Sequence, residues 1–144
     1  MSPHSQRLAP VFAWPVRVYW EDTDAGGVVY HANYLRYLER ARSEWFRALG
    51  FGQERLRREL NRVFVVHSVE MRFLKPARLD DMLAATVSPH HVRSASFSVG
   101  HTLRRDSDAA LLVEATVRVA CLAADTWRPH PIPDFLLSEI ATDE

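Results

Sequence analysis

A single cysteine, Cys121, leaves this chain without a partner for an internal disulfide. It sits in the strand-like run Val117 to Leu122, where a thiol serves as a small core residue and nothing marks it as a nucleophile. Lysine is as scarce: Lys75 is the only one, so seventeen of the 18 basic residues are arginine. The 18 acidic residues bring the formal charge to zero, and with no nucleic-acid-binding motif in the chain this disfavours a nucleic-acid partner. No segment reaches the ~20 apolar residues needed to span a bilayer. A Gly-x-Ser-x-Gly elbow is missing, so a serine hydrolase mechanism has no anchor, and the seven histidines show no metal-ligand spacing. His90 and His91 are adjacent and would face opposite ways on a strand. Repeats and low-complexity stretches are also absent. What remains is a chain of 144 residues, 47% of them apolar, of the size of one domain with a real core.

The N-terminus has a faint signal-peptide look, from Arg7 through Leu8 to Val16, but Pro10 and Pro15 interrupt it and no small-residue cleavage site follows. Residues 1–14 are therefore expected to form a loose arm, 15–135 the folded domain and 136–144 a tail. A cytoplasmic location is expected.

The most informative stretch runs from Trp20 to Tyr34. Before it, Val16, Val18 and Trp20 alternate with Arg17, Tyr19 and Glu21, the period of a strand with one buried face. Asp22 and Asp24 break that pattern, and Gly26 and Gly27 suit a tight loop in which a ligand touches main chain. The loop feeds a helix. Tyr34, Tyr37, Leu38, Ala41, Trp45, Ala48 and Leu49 fall at spacings of three and four, and Arg36, Glu39, Arg40, Arg42, Glu44 and Arg47 take the other face. Asn33 suits the N-cap and Gly50 the position after the last turn. Asp24 and His31 thus flank a helix N-terminus, whose free N–H groups and positive dipole end favour negative charge. A carboxylate beside such an oxyanion site suggests acyl chemistry.

Downstream, strand follows strand. Arg62 to Phe73 alternates with Val63, Val65, His67, Val69, Met71 and Phe73 on one side, and the run from Lys75 to Arg78 ends it. Met82 to Val87, Arg93 to Leu103 and Ala110 to Leu122 supply three more, with residues 104–108 as a hairpin turn. One strand, a long helix and four antiparallel strands would make a curved sheet wrapped round the helix. Its exposed edges would be satisfied by pairing two subunits.

The run from Glu21 to Tyr34, continued by Leu35 to Arg42, resembles the signature of the hotdog-fold acyl-CoA thioesterases of the 4-hydroxybenzoyl-CoA thioesterase class, and within it the YbgC type. Met71 to Asp81, Ala115 to Leu122 and Arg128 to Pro133 extend the likeness, so it covers about Pro15 to Pro133. The resemblance implies an α+β hotdog fold with about five strands around one central helix, and hydrolysis of an acyl-CoA without metal or redox cofactor. It puts Asp24 on the catalytic acid, as nucleophile or as general base towards water. His31 falls on a histidine near the helix start that could position water or the thioester. Backbone N–H groups around Tyr30 to Ala32 would hold the thioester oxygen, with Gly27 beside them. One departure stands out: Trp20 replaces a tyrosine often found four residues before the acid, exchanging a hydroxyl for an indole N–H. The resemblance further implies homodimers with sites at the subunit interface, often paired into tetramers.

Other assignments follow from the residues. An aspartate in a glycine-rich loop commonly bonds its own backbone as a turn former, and His31 could help cap the helix. Asp22 and Glu21 suit loop solvation or a salt bridge, and Glu39 a structural ion pair with Arg36, Arg40 or Arg42. Lys75 and Arg93 are candidates for the coenzyme A phosphates. Tyr30, Tyr34, Tyr37, Phe64 and Phe73 could line an acyl pocket. Arg55, Arg57, Arg58 and Arg62, interrupted by Glu54 and Glu59, suit a solvated helix face ahead of a docking surface. Two rival functions remain open: a hotdog hydratase or dehydratase using His31, and an acyl-CoA-binding scaffold that docks membrane-associated proteins, as the Tol-Pal association of YbgC-like proteins suggests.

Overall fold

The computed structural model describes residues 10–141. Five antiparallel strands, β1 (Phe12–Arg17), β2 (Arg62–Phe73), β3 (Met82–His90), β4 (Ser96–Arg105) and β5 (Leu111–Ala123), form one sheet in the order β1-β3-β4-β5-β2. One face of the sheet packs on α1 (Asn33–Ala48), as expected of the hotdog fold, and α2 (Gln53–Leu60) and α3 (Asp134–Ala141) complete the domain. No helix among the described residues is long and apolar enough to cross a membrane.

The helix forms where its period places it. Tyr34, Tyr37, Leu38, Ala41, Trp45 and Phe46 are buried against Leu83, Ala85, Phe97, Val99 and Val117 of the sheet. Gly50 follows the C-cap Leu49 with φ 97°, the left-handed conformation that glycine adopts without strain. Two positions depart from the expected pattern. Ala48 is exposed, and Arg42 is buried, because the apolar stripe is wide enough that Arg42 meets His101 of β4.

Other differences have local physical causes. β1 starts at Phe12, so the last three residues of the expected arm belong to the sheet. Phe12 pairs with Val87 and Trp14 with Ala85, and the Pro15 ring is tolerated because β1 is an edge strand. Residues 1–9 lie outside the described part. The strand ends at Arg17, and Trp20–Asp22 is a 3-10 turn. In β2, Val66 pairs with Val119 and Ser68 with Arg118, leaving His67 as an extra residue in a bulge. The inward set is therefore Phe64 and Val66 before the bulge, opposite Cys121 and Val119, and Val69, Met71 and Phe73 after it. Val63 and Val65, expected to face inward, are turned away. His91 leaves β3 with φ 49°, which brings its ring to 4.8 Å from that of His90 instead of opposite to it. The expected C-terminal tail starts inside α3, where Leu136 and Ile140 are fully buried, each contributing roughly 1.5–3 kcal/mol by burial. Its last residues, 142–144, lie outside the described part.

Candidate active site

Asp24 stands in a small hairpin closed by an isolated bridge between Thr23 and Val29. The Asp24 N–H donates to the Val28 carbonyl, and Gly27, at φ 79°, donates back to the Asp24 carbonyl, both at 3.0 Å. The carboxylate takes the turn-former's bond: its Oδ1 accepts the Gly26 N–H at 2.8 Å. A side chain on Gly26 would meet that oxygen at 3.2 Å, so glycine there keeps the carboxylate uncrowded. No hydrogen bond engages Oδ2 among the described residues, and Asp24 is exposed.

The hairpin is held against two other segments. Val28 bridges Arg78, and the buried Val29 donates to the Ala77 carbonyl at 2.9 Å. Ala77 in turn donates its N–H to the Tyr34 hydroxyl at 3.0 Å, which ties the Lys75–Arg78 turn to the first turn of α1. Burial raises the Tyr34 ionisation above the usual tyrosine range, so the hydroxyl stays neutral.

The helix start offers fewer free N–H groups than its sequence suggests. Tyr30 already donates to the Asp22 carbonyl at 2.8 Å, and Gly27 is engaged as described, so neither N–H is free for a substrate oxygen. The N–H groups of His31 and Ala32 have no backbone acceptor among the described residues. Asn33 is the first helical residue, not the cap; Ala32 takes that place without a side-chain bond. Asn33 instead turns back and donates from Nδ2 to Asp22 Oδ1.

Around this helix start the rings of Tyr30 and His31 lie 4.6 Å apart, those of His31 and Phe73 6.2 Å, and those of Tyr34 and Phe73 5.8 Å. His31 is exposed, and no hydrogen bond joins it to a carboxylate among the described residues. Trp20 projects into solvent at 78% exposure. Tyr37 is buried in the core with its hydroxyl beside Asp22, and Phe64 is half-buried on β2, stacked on Phe46 at 4.9 Å.

The candidate phosphate contacts separate. Lys75 lies at the Asp24 end of the sheet, in the turn that carries Ala77 and Arg78. Arg93 lies beyond the far end of β3, whose nine residues span about 30 Å. The sequence reading missed Arg78, whose backbone bridges the hairpin itself and whose side chain is exposed. Arg105, at the same end, is already bound to Asp81, Asp108 and the Pro76 carbonyl. Glu39 makes no ion pair among the described residues. It faces an open groove on the outer side of α1 with Trp14, Arg36 and Arg40. On α2, Arg57 pairs with Glu54 and Arg55 with Glu59, as a solvated helix face should.

A family model for the thioesterase-like superfamily matches residues 18–140. The chain belongs to this superfamily. Within the thioesterase-like superfamily it is 43% identical over 122 residues to the acyl-CoA thioesterase YbgC of Haemophilus influenzae, covering 85% of this chain and 88% of that one. Over 129 residues it is 41% identical to the acyl-CoA thioester hydrolase YbgC of Escherichia coli O6:H1, covering 90% and 95%. Among solved structures, a probable thioesterase from Bartonella henselae superposes with a TM-score of 0.79 at 33% identity, covering 84% of this chain and 98% of the other. The superfamily fold persists at lower likeness: a 1,4-dihydroxy-2-naphthoyl-CoA thioesterase from Synechocystis reaches a TM-score of 0.84 at 22% identity, covering 90% and 94%.

Proposed function

We propose that this protein hydrolyses an acyl-CoA thioester to the free carboxylic acid and coenzyme A, with Asp24 as nucleophile or general base. The observation that carries this reading is the pairing of Asp24 with the start of α1. One carboxylate oxygen is fixed by Gly26 and the other has no hydrogen bond among the described residues, and the hairpin that carries it runs through Val28 to Tyr30 directly into the helix start, where the N–H groups of His31 and Ala32 have no backbone acceptor among the described residues. A thioester carbonyl held by those donors, at the positive end of the helix dipole, would have its developing oxyanion stabilised while the free oxygen attacks the carbonyl or takes a proton from water. His31, packed between Tyr30 and Phe73, positions the thioester or the water. The chemistry needs only water, a base and donors, so no cofactor is invoked.

The active unit in this reading is a homodimer. β2 is a free edge strand, and its inward residues Val66 and Phe73 are 45% and 53% exposed in the single chain. Pairing β2 with its two-fold copy would satisfy the open N–H and C=O groups and cover those side chains. It would also cover the exposed Asp24 loop with a second chain. The two-fold reverses the second copy, which brings its β3–β4 turn, with Arg93, to the same rim of the joint sheet as Lys75 and Arg78. That rim is the proposed seat of the coenzyme A phosphates. Two such dimers pairing into a tetramer, and work in the cytoplasm where coenzyme A esters are found, complete the proposal.

Thiol release from a panel of short-chain, long-chain and aromatic acyl-CoAs tests it. Release that Asp24→Asn abolishes supports the mechanism and assigns the acyl class. Acyl-CoA binding without release would favour the scaffold role.

A further inference from the structure

Between Tyr19 and Asn33 the chain doubles back on itself, and one buried aspartate joins the three segments of that fold-back, two through its carboxylate and one through its backbone carbonyl. Asp22 Oδ2 accepts the Tyr19 N–H, its Oδ1 accepts Nδ2 of Asn33 and its carbonyl accepts the Tyr30 N–H, each at 2.8 Å. Asp22 is 5% exposed, unlike its neighbours Glu21 and Asp24. Its three bonds link the end of the β1 segment, the base of the Asp24 hairpin and the first turn of α1. The fully buried Tyr37 hydroxyl lies beside it, outside hydrogen-bond geometry but near enough that burial and the Asp22 carboxylate hold its ionisation above the usual tyrosine range.

The Asp24 hairpin is otherwise anchored on one side only, through Val28 and Val29 to the turn at Ala77 and Arg78. That anchor reaches the helix only indirectly, through the Ala77 N–H on the Tyr34 hydroxyl, whereas Asp22 joins the base of the hairpin to Asn33 of the helix start directly. Resting on the reading of Asp24 given above, we propose that Asp22 is the positioning residue of this site: its buried carboxylate sets the distance between the Asp24 carboxylate and the N–H groups of His31 and Ala32. Displacement of a reacting group by about 1 Å costs on the order of 100-fold in rate, so loosening this clamp should lower turnover more than it lowers affinity.

The clamp makes a distinctive demand on substitutions. Asp22→Ala removes both side-chain acceptors and leaves the buried Asn33 amide and the half-buried Tyr19 N–H unpaired. Asp22→Asn keeps the network: Asn33 can rotate its amide so that its oxygen accepts from the new Nδ2, while the new Oδ1 keeps the Tyr19 N–H. A residue needed for its charge would fail as asparagine; one needed for its hydrogen bonds would not.

The test is steady-state kinetics of acyl-CoA hydrolysis by the full chain, with thermal unfolding of each variant and Asp24→Asn as control. Asp22→Ala is expected to lower kcat at least ~30-fold with KM within about threefold. Asp22→Asn should keep a third or more of kcat, and Asn33→Ala should lose about 5–10-fold, non-additively with Asp22→Ala. Wild-type kcat in folded Asp22→Ala, with Asp24→Asn inactive, overturns the positioning role and leaves the reading of Asp24 intact. An Asp22→Asn variant as dead as Asp22→Ala also overturns it, in favour of a charged role. If Asp22→Ala does not fold, Asn33→Ala decides, and wild-type kcat there refutes the clamp. Full activity in Asp24→Asn would remove the reading on which the proposal rests.

Discussion

Arg42 of α1 donates from its guanidinium to Nε2 of His101 on β4 at 3.1 Å, and His101 Nδ1 lies 2.7 Å from the Thr86 carbonyl. Arginine can only donate, so Nε2 must accept and Nδ1 must carry the proton, which fixes a neutral imidazole of one tautomer in the core. Burial first, and then the Arg42 charge, hold the His101 ionisation down at about 3. This pair fastens the central helix to the middle of the sheet.

The pair predicts acid sensitivity. Its folded value lies below the unfolded one of ~6.5, so between about pH 6.5 and 3 the unfolded chain binds the extra proton. The stability contribution is complete above the unfolded value and falls as the pH drops through this window, by up to ~1.4 kcal/mol for each unit. His101→Gln keeps an acceptor for Arg42 and cannot titrate. Urea unfolding at a series of pH values should show a flatter acid limb for that variant; an unchanged limb would assign the sensitivity elsewhere.

Asp24 and His31 should separate in kinetics. Asp24→Asn removes the attacking or proton-accepting oxygen and is expected to lower kcat at least ~100-fold with coenzyme A affinity nearly unchanged. His31→Ala, which removes an orienting ring, should cost about 10-fold. Equal losses in the two variants would give His31 a direct part in the chemistry.

Two tyrosines one turn apart should respond oppositely to loss of the hydroxyl. Tyr34→Phe strands the Ala77 N–H and loosens the turn behind the Asp24 hairpin, a loss of about 1–3 kcal/mol. Tyr37→Phe removes a buried hydroxyl that lies near Asp22 but outside hydrogen-bond geometry, and should be neutral or stabilising by up to ~1 kcal/mol. Denaturation midpoints of the two variants check the contrast.

A charge on the free edge tests the dimer. Val69→Lys places an ammonium among inward side chains of β2 that only a second copy would cover. Sedimentation should report a monomer, and hydrolysis should fall with the dimer fraction. A monomeric variant of full activity would show that one chain holds a complete site.

Local chemistry made part of this protein legible. Two acids, paired glycines and a histidine ahead of a periodic apolar run marked both the α1 boundary region and the Asp24 loop, because turns and amphipathic helices are written in residues close together in the chain. Five strands were countable for the same reason. Asp22 was readable as an acid but not as a clamp, since its value comes from Asn33 and Tyr19 closing on it.

The amino-acid sequence by itself determined the strand and helix periods, the turn that holds Asp24 and, through its likeness to YbgC-type thioesterases, the family. Tertiary structure alone decided that Arg42 is buried, that the Tyr30 N–H is taken up by Asp22, that His67 bulges out and reverses the faces of β2, and that α3 docks. Each of these depends on which distant atom occupies the other end of a hydrogen bond or apolar contact. Periodicity reports only how a segment's own side chains are arranged; the partner that satisfies or excludes them comes from another part of the chain.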